Sequence, residues 1–204
     1  MPVRLHLIRH GQTEWSLSGR HTGTTDLPLD PHGREQAAAL TGRLSGLQFS
    51  HVLTSPRLRA RQTCELAGLG TQVRCEPDLA EWDYGDYEGH TSDEIVSRRG
   101  GWDLFRDGCP NGDSPAQVAA RADRLILALS LLDGDVALFS HAQFGCVLAT
   151  RWIGLPLDTA RHFELSTASV SVLGYDDHHP DVARLIRLNG LPAAPVCPAA
   201  AVGT

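Results

Sequence analysis

An imidazole that can attack phosphorus and guanidiniums that can hold phosphate oxygens recur at matched places in this chain. Arg9, His10 and Gly11 follow directly on the mostly apolar residues 3–8, and the glycine leaves bare backbone beside the ring. His141 follows the strongly apolar residues 136–140 in the same way and is followed by the small Ala142. One histidine after a strand is an ordinary loop residue; two at equivalent strand ends suggest a shared site. Arg57, Arg59 and Arg61 fall in the first turns of a helix read from Ser55-Pro56. The helix dipole disfavours cations there by a few tenths of a kcal/mol each unless an anion is bound. With a phosphate present, the helix terminus and a guanidinium act together. One arginine pointing inward suffices, and the other two suit a solvated face. Residues 79–89 then supply carboxylates among aromatics, and an acid is what a leaving alkoxide needs. From the residues alone, Glu81, Asp83, Asp86 and Glu88 are equally placed for that role.

These groups need elements to carry them. Residues 3–8 read as a strand and residues 13–29 as a polar loop. Asp30-Pro31 opens a helix as cap and first-turn proline, with Ala37, Leu40, Leu44 and Leu47 at helical spacing. A strand over 49–54 leads to Ser55-Pro56, read as a second cap and proline, and to a helix ending near Gly68. Residues 73–76 read as a short strand and 77–113 as irregular, with a short helix capped at Thr91. Ser114 through Gln117 starts a long helix whose buried face is Val118, Ala122, Leu125, Leu129 and Leu132. A strand over 136–140, a helix over 144–153 and paired strands over 170–175 and 182–188 complete the pattern. Strands alternating with helices predict an α/β fold: a three-layer α/β/α sandwich with a mainly parallel central sheet and helices on both faces. Residues 1–190 read as one domain, and the Ala/Pro/Gly-rich residues 191–204 as a flexible tail.

The bulk properties narrow the class. A chain of 204 residues can bury a core without disulfides or metal. A net charge of −6 argues against a nucleic-acid partner while allowing a locally basic pocket. All 18 basic residues are arginine, which suits bidentate phosphate binding but in this uniform form reflects genome composition. Five cysteines without close metal-ligand spacing predict reduced thiols and a cytoplasmic location. No run reaches the ~20 apolar residues of a membrane span, and residues 1–20 lack a signal peptide. Asp176, Asp177, His178, His179 and Asp181 could be a metal cluster but read better as a polar hairpin turn.

Arg9-His10-Gly11-Gln12-Thr13, Ser55 with Arg59-Ala60 and Gln62-Thr63, the segment opening at Glu81, and Ser140-His141 together resemble the histidine phosphatase superfamily, also called phosphoglycerate mutase-like. The likeness runs in order from residue 3 to about 175. Residues 12–16, 55–63, 81–89 and 102–109 are similar to its sedoheptulose-1,7-bisphosphatase and small acid phosphatase branch. The resemblance implies a metal-independent phosphomonoesterase with no cofactor, acting on small phosphate esters such as sugar phosphates or bisphosphates. It implies that His10 attacks phosphorus, that Arg9, Arg59 and His141 grip the non-bridging oxygens, and that Glu81 is the acid. Gln12, Ser16, Thr22, Gly23, Tyr84 and Ala142 match substrate-contact positions. Two departures stand out. Ala142 replaces the usual glycine after the late histidine, and Cys146 stands where an arginine often does, which weakens reading of a second phosphate. A phosphoglycerate mutase would use the same nucleophile but carries a longer insertion with paired arginines. Here Arg98-Arg99 is the only adjacent arginine pair. A non-catalytic binding module predicts a broken constellation, whereas all four parts are present. The apolar ends of several strands could serve a homodimer.

Overall fold

A computed structural model describes residues 2–190, so the predicted tail over 191–204 lies outside the described residues. The strands are β1 (Arg4–Arg9), β2 (Phe49–Thr54), β3 (Val73–Cys75), β4 (Asp135–Ser140), β5 (Val170–Tyr175) and β6 (Ala183–Gly190). They form one sheet in the order β3-β2-β4-β1-β5-β6. The first four are parallel, and β5 and β6 add an antiparallel hairpin at one edge. Parallel neighbours need crossover connections, and the helices supply them.

The helices are α1 (Glu14–Leu17), α2 (Pro31–Leu44), α3 (Leu58–Leu66), α4 (Ser92–Arg99), α5 (Leu104–Asp107), α6 (Pro115–Leu129) and α7 (Ala142–Trp152). Two apolar clusters lie on opposite faces of the sheet. Leu40 and Leu44 of α2 and Cys64 beside Ala67 at α3 pack with Ile8, Val52 and Phe139. Val118, Leu125 and Leu129 of α6 and Val147 and Leu148 of α7 pack with Leu5, Leu7, Val136 and Leu138. Alternation along β1 and β4 divides the side chains between the layers. Asp30 caps α2 with Oδ1 accepting from Gly33 N–H at 2.7 Å, and capping boxes open α4 at Thr91 and α6 at Ser114.

Local readings differ from the structure in several places, among them α5, which lies within the stretch read as irregular and is too short for periodicity to register, and Leu132, which lies beyond the end of α6. The polar loop over 13–29 contains α1, capped by a Thr13–Ser16 box; four residues are too few for periodicity to register. Arg57, not Ser55, is the N-cap of α3, because Ser55 is drawn into the site below. Helix α2 ends at Leu44, leaving Leu47 beyond it and exposed. Helix α7 begins at Ala142 rather than at 144, directly on His141. In the 176–181 turn, Asp176 accepts from the N–H groups of His178 and His179, both at 2.8 Å, and pairs with Arg184. Among the described residues no helix is long and apolar enough to cross a membrane.

The register of the sheet brings the site together. Arg9 pairs with Ser140 across β1 and β4, so His10 and His141 leave neighbouring strands side by side. Thr54 pairs with Phe139, so Ser55 emerges next to both. Gly11 permits a close approach of backbones. A Cβ there would lie 2.3 Å from the Gly33 carbonyl, and one on Gly33 would lie 2.0 Å from the Gln12 carbonyl. The backbone after His10 therefore runs directly against the first turn of α2. Gly33→Ala should destabilise by about 1–3 kcal/mol through overpacking, despite alanine's better helix propensity. A thermal melt with unchanged or raised Tm would contradict this close approach.

Candidate active site

The arrangement at the base starts with tautomers. His10 is buried, and its Nδ1 lies 2.7 Å from the Gly11 carbonyl. A carbonyl only accepts, so Nδ1 carries the proton and the Nε2 lone pair is left for chemistry. Burial, then Arg59 and Arg9, hold the His10 pKa well below its ordinary value, so the ring is neutral. His141 lies with its ring centroid 5.2 Å from that of His10. Its Nδ1 accepts from Arg59 Nε at 3.2 Å, so Nε2–H donates to Ser55 Oγ at 2.7 Å. Burial and Arg59 keep this ring neutral too.

Arg59 is fully buried, whereas Arg57 is half-buried and Arg61 exposed. Its Nη1 donates to the Thr25 carbonyl, and Nη2 to those of Thr22 and Gly23. With Nε on His141, four of five guanidinium protons are placed and one on Nη1 is left. Arg9 donates through Nη1 to the Leu165 carbonyl at 2.5 Å, while its buried Nε has no partner. A buried donor without a partner costs about 1–3 kcal/mol. It suits a site that an anion completes.

Of the four candidate carboxylates, Glu81 alone lines the cavity above His10. Its Oε1 accepts from Trp82 N–H at 2.9 Å and Phe144 N–H at 2.8 Å, and Oε2 from Gln143 N–H at 3.1 Å. The carboxylate thus sits at the N-terminus of α7, where unpaired N–H groups are available. Glu88 is spent on the N–H groups of Gly23 and Thr25, Asp83 on Gly85, and Asp86 on Asn111. Arg121, which nothing in the sequence singles out, holds the Glu81 strap from below. It donates to the carbonyls of Ala80 and Glu81 and lies over the Phe144 ring at 4.4 Å.

The cavity measures ≈ 310 Å³. Ser16, Thr22, Tyr84 and Ala142 line it together with Arg9, His10 and Glu81. Arg59 and His141 stand behind His10 rather than on the open wall. Gln12 and Gly23 do not reach the cavity. Gln12 is tied to Asp30 at 2.9 Å, and Gly23 has its N–H on Glu88 and its carbonyl on Arg59. The wall also holds residues that the sequence does not mark: Arg20, His21, Ser92, Gln143 and Glu164. Their signal is weak because each comes from a loop or a helix end and gains meaning only through tertiary placement. Cys146 also faces the cavity, with its thiol pushed up to about 12 chiefly by burial, so it is uncharged.

His21 stacks on Tyr84 at 4.6 Å and meets Trp102 edge-on at 5.4 Å. Burial lowers its pKa to about 4, partly offset by Glu88. The folded pKa lies below the unfolded one, so this stability is present above about pH 6.5 and is lost as pH falls toward 4. The span from 6.5 to about 4 corresponds to about 3 kcal/mol. Thermal melts between pH 7 and 4 should show a shallower fall for His21→Asn than for the parent chain. Parallel curves would exclude His21 as a source of that acid lability.

Known proteins resemble the chain along most of its length. The profile of the histidine phosphatase superfamily (branch 1) matches residues 5–187. An acid phosphatase of Mycobacterium tuberculosis is 44% identical over 178 residues, spanning 85% of this chain and 87% of the relative. The sedoheptulose 1,7-bisphosphatase of Saccharomyces cerevisiae is 36% identical over 207 residues, spanning 85% and 75%. A solved structure of an open reading frame from Mycobacterium tuberculosis superposes with a TM-score of 0.84 at 42% identity, covering 91% of this chain and 96% of that one.

Proposed function

The chain belongs to the histidine phosphatase superfamily, and we propose that it hydrolyses small phosphate monoesters through a phosphohistidine at His10. One observation carries this reading: a neutral His10 with Nε2 unengaged stands in a cavity beside the buried, unpartnered Nε of Arg9. Nucleophile and anion holder are both ready before a ligand arrives. The relatives named phosphatases support the reaction class, and the bisphosphatase relative supports sugar phosphates as substrates.

The steps follow from the donors available. The phosphoryl group settles over His10, with its non-bridging oxygens on Arg9, on the remaining Arg59 N–H and on His141 once Nε2–H turns from Ser55. Nε2 bonds to phosphorus as the ester P–O bond breaks, and Glu81 gives its proton to the leaving alkoxide. Oε2 of Glu81 has one N–H donor against two on Oε1, which leaves it room for that proton. Water then gives a proton to Glu81 and attacks phosphorus, the N–P bond breaks, and inorganic phosphate leaves. Residues 1–190 act as one phosphatase domain. The free thiols of Cys64, Cys75, Cys109 and Cys146 suit the cytoplasm.

The direct test is rapid quenching into alkaline SDS with a ³²P-labelled ester. An acid-labile, base-stable phosphoenzyme mapped to His10 is expected. Turnover without any phosphoenzyme in single-turnover experiments would overturn the covalent route.

A further inference from the structure

Building on the phosphatase reading, we infer that Glu164 sets substrate class: it favours monoesters of uncharged hydroxyl compounds and disfavours a second anionic group. The first turns of α7 and residues 163–165 contribute to the cavity lining. There Cys146 presents a neutral thiol and Glu164 an exposed carboxylate. Glu164 makes no hydrogen bond or ion pair among the described residues, yet it lies close enough to Arg9 and Cys146 to act on both electrostatically. Its charge therefore acts on whatever a bound ester carries into the cavity.

The cations that could offset it are committed elsewhere. Arg20 lines the same cavity but donates to the Gly89 carbonyl at 2.6 Å and stands 3.5 Å from Glu94. Arg161, on the neighbouring turn, pairs with Asp103 at 3.1 Å. His21 is neutral because burial lowers its pKa to about 4. The other polar lining is uncharged: Ser16, Thr22, Ser92 and Gln143 offer hydroxyl and amide groups suited to a sugar or polyol. With Arg9 taken up by the transferred phosphoryl group, a phosphate or carboxylate on the leaving group would meet Glu164 with no other uncommitted cation among the described lining residues. A unit charge about 6–8 Å away in a half-solvated site shifts an equilibrium about five- to tenfold.

The test compares kcat/KM for glucose 6-phosphate and glucose 1,6-bisphosphate in the parent chain, Glu164→Gln and Glu164→Arg. The parent should prefer the monophosphate. Glu164→Gln should move the ratio toward the bisphosphate by about five- to tenfold, and Glu164→Arg should move it further. Raising ionic strength from about 0.05 to about 0.5 M should shrink the parent's preference and leave that of Glu164→Gln nearly unchanged, because salt screens an exposed charge. A parent that prefers the bisphosphate, or a ratio indifferent to both substitutions, would overturn the inference while leaving the phosphatase intact. Absence of monophosphate turnover, or turnover that survives loss of His10, would instead overturn the reading on which it rests.

Discussion

His10→Ala is expected to lose turnover by about 10⁴-fold or more, since removing a covalent nucleophile leaves no equivalent route. Both substrate consumption and ³²P label retained after alkaline quench should vanish together. Loss of activity alone would be a weak result, because His10 is buried and its removal could disturb the fold. The neighbouring geometry supplies the control. Arg9 is anchored on the Leu165 carbonyl, and Arg59 on His141 and the 22–25 loop; none of these bonds passes through His10. The substituted chain should therefore still bind inorganic phosphate, with a melting transition close to that of the parent. Removing His10 also removes a neutral group whose protonation the burial and the two arginines suppress. The unfolded state then gains one proton fewer on acidification, so stability should fall less steeply below about pH 6.5. Phosphate binding without turnover separates a missing nucleophile from a collapsed site. Retained turnover with native-like stability would refute covalent catalysis at His10.

The legible part of this protein is where local chemistry and tertiary placement agree. Residues 3–8 and 136–140 are apolar enough to be central strands, and both end in histidine. That pairing alone puts His10 and His141 beyond the carboxyl ends of two central strands, and the register of Arg9 with Ser140 places them side by side. The caps at Asp30, Thr91 and Ser114 are readable because each satisfies N–H groups within its own first turn. Ser55 misleads for the same reason. Followed by proline it has the form of a cap, but its hydroxyl serves a histidine 86 positions away. Local pattern cannot register such a partner. Gly33 is silent because its need for a bare backbone arises only when Gln12 is packed against it. Arg20 and His21 reach the cavity from one loop and Glu164 from another, far along the chain, so nothing in their immediate sequence marks them. Arg121 is a further case: nothing in the sequence of α6 marks it, yet it is turned inward beneath the Glu81 strap.

Glu81→Gln separates the acid from its neighbours through the leaving group. Glutamine keeps the shape and can still accept from Trp82 and Phe144 through its carbonyl, losing only the Gln143 N–H bond on the other oxygen, so the strap at the α7 terminus should hold by two of its three bonds. It cannot deliver a proton. Alkyl phosphates leave as strongly basic alkoxides and depend on that proton, so their kcat/KM should fall about 10²–10⁴-fold. p-Nitrophenolate leaves without help, and its kcat/KM, which reports only the steps up to phosphorylation, should fall far less. The second half-reaction needs the same carboxylate as base, so p-nitrophenyl phosphate should show a burst of p-nitrophenol followed by slow turnover, with phosphoenzyme accumulating. Those two signatures pull in opposite directions on one substrate, which a general loss of folding cannot imitate. Equal losses for both ester types, with no burst, would take the proton transfer away from Glu81. Asp83 would then be the next residue to examine, because it is only half-buried beside the strap and holds the Gly85 N–H through Oδ1 alone at 3.0 Å.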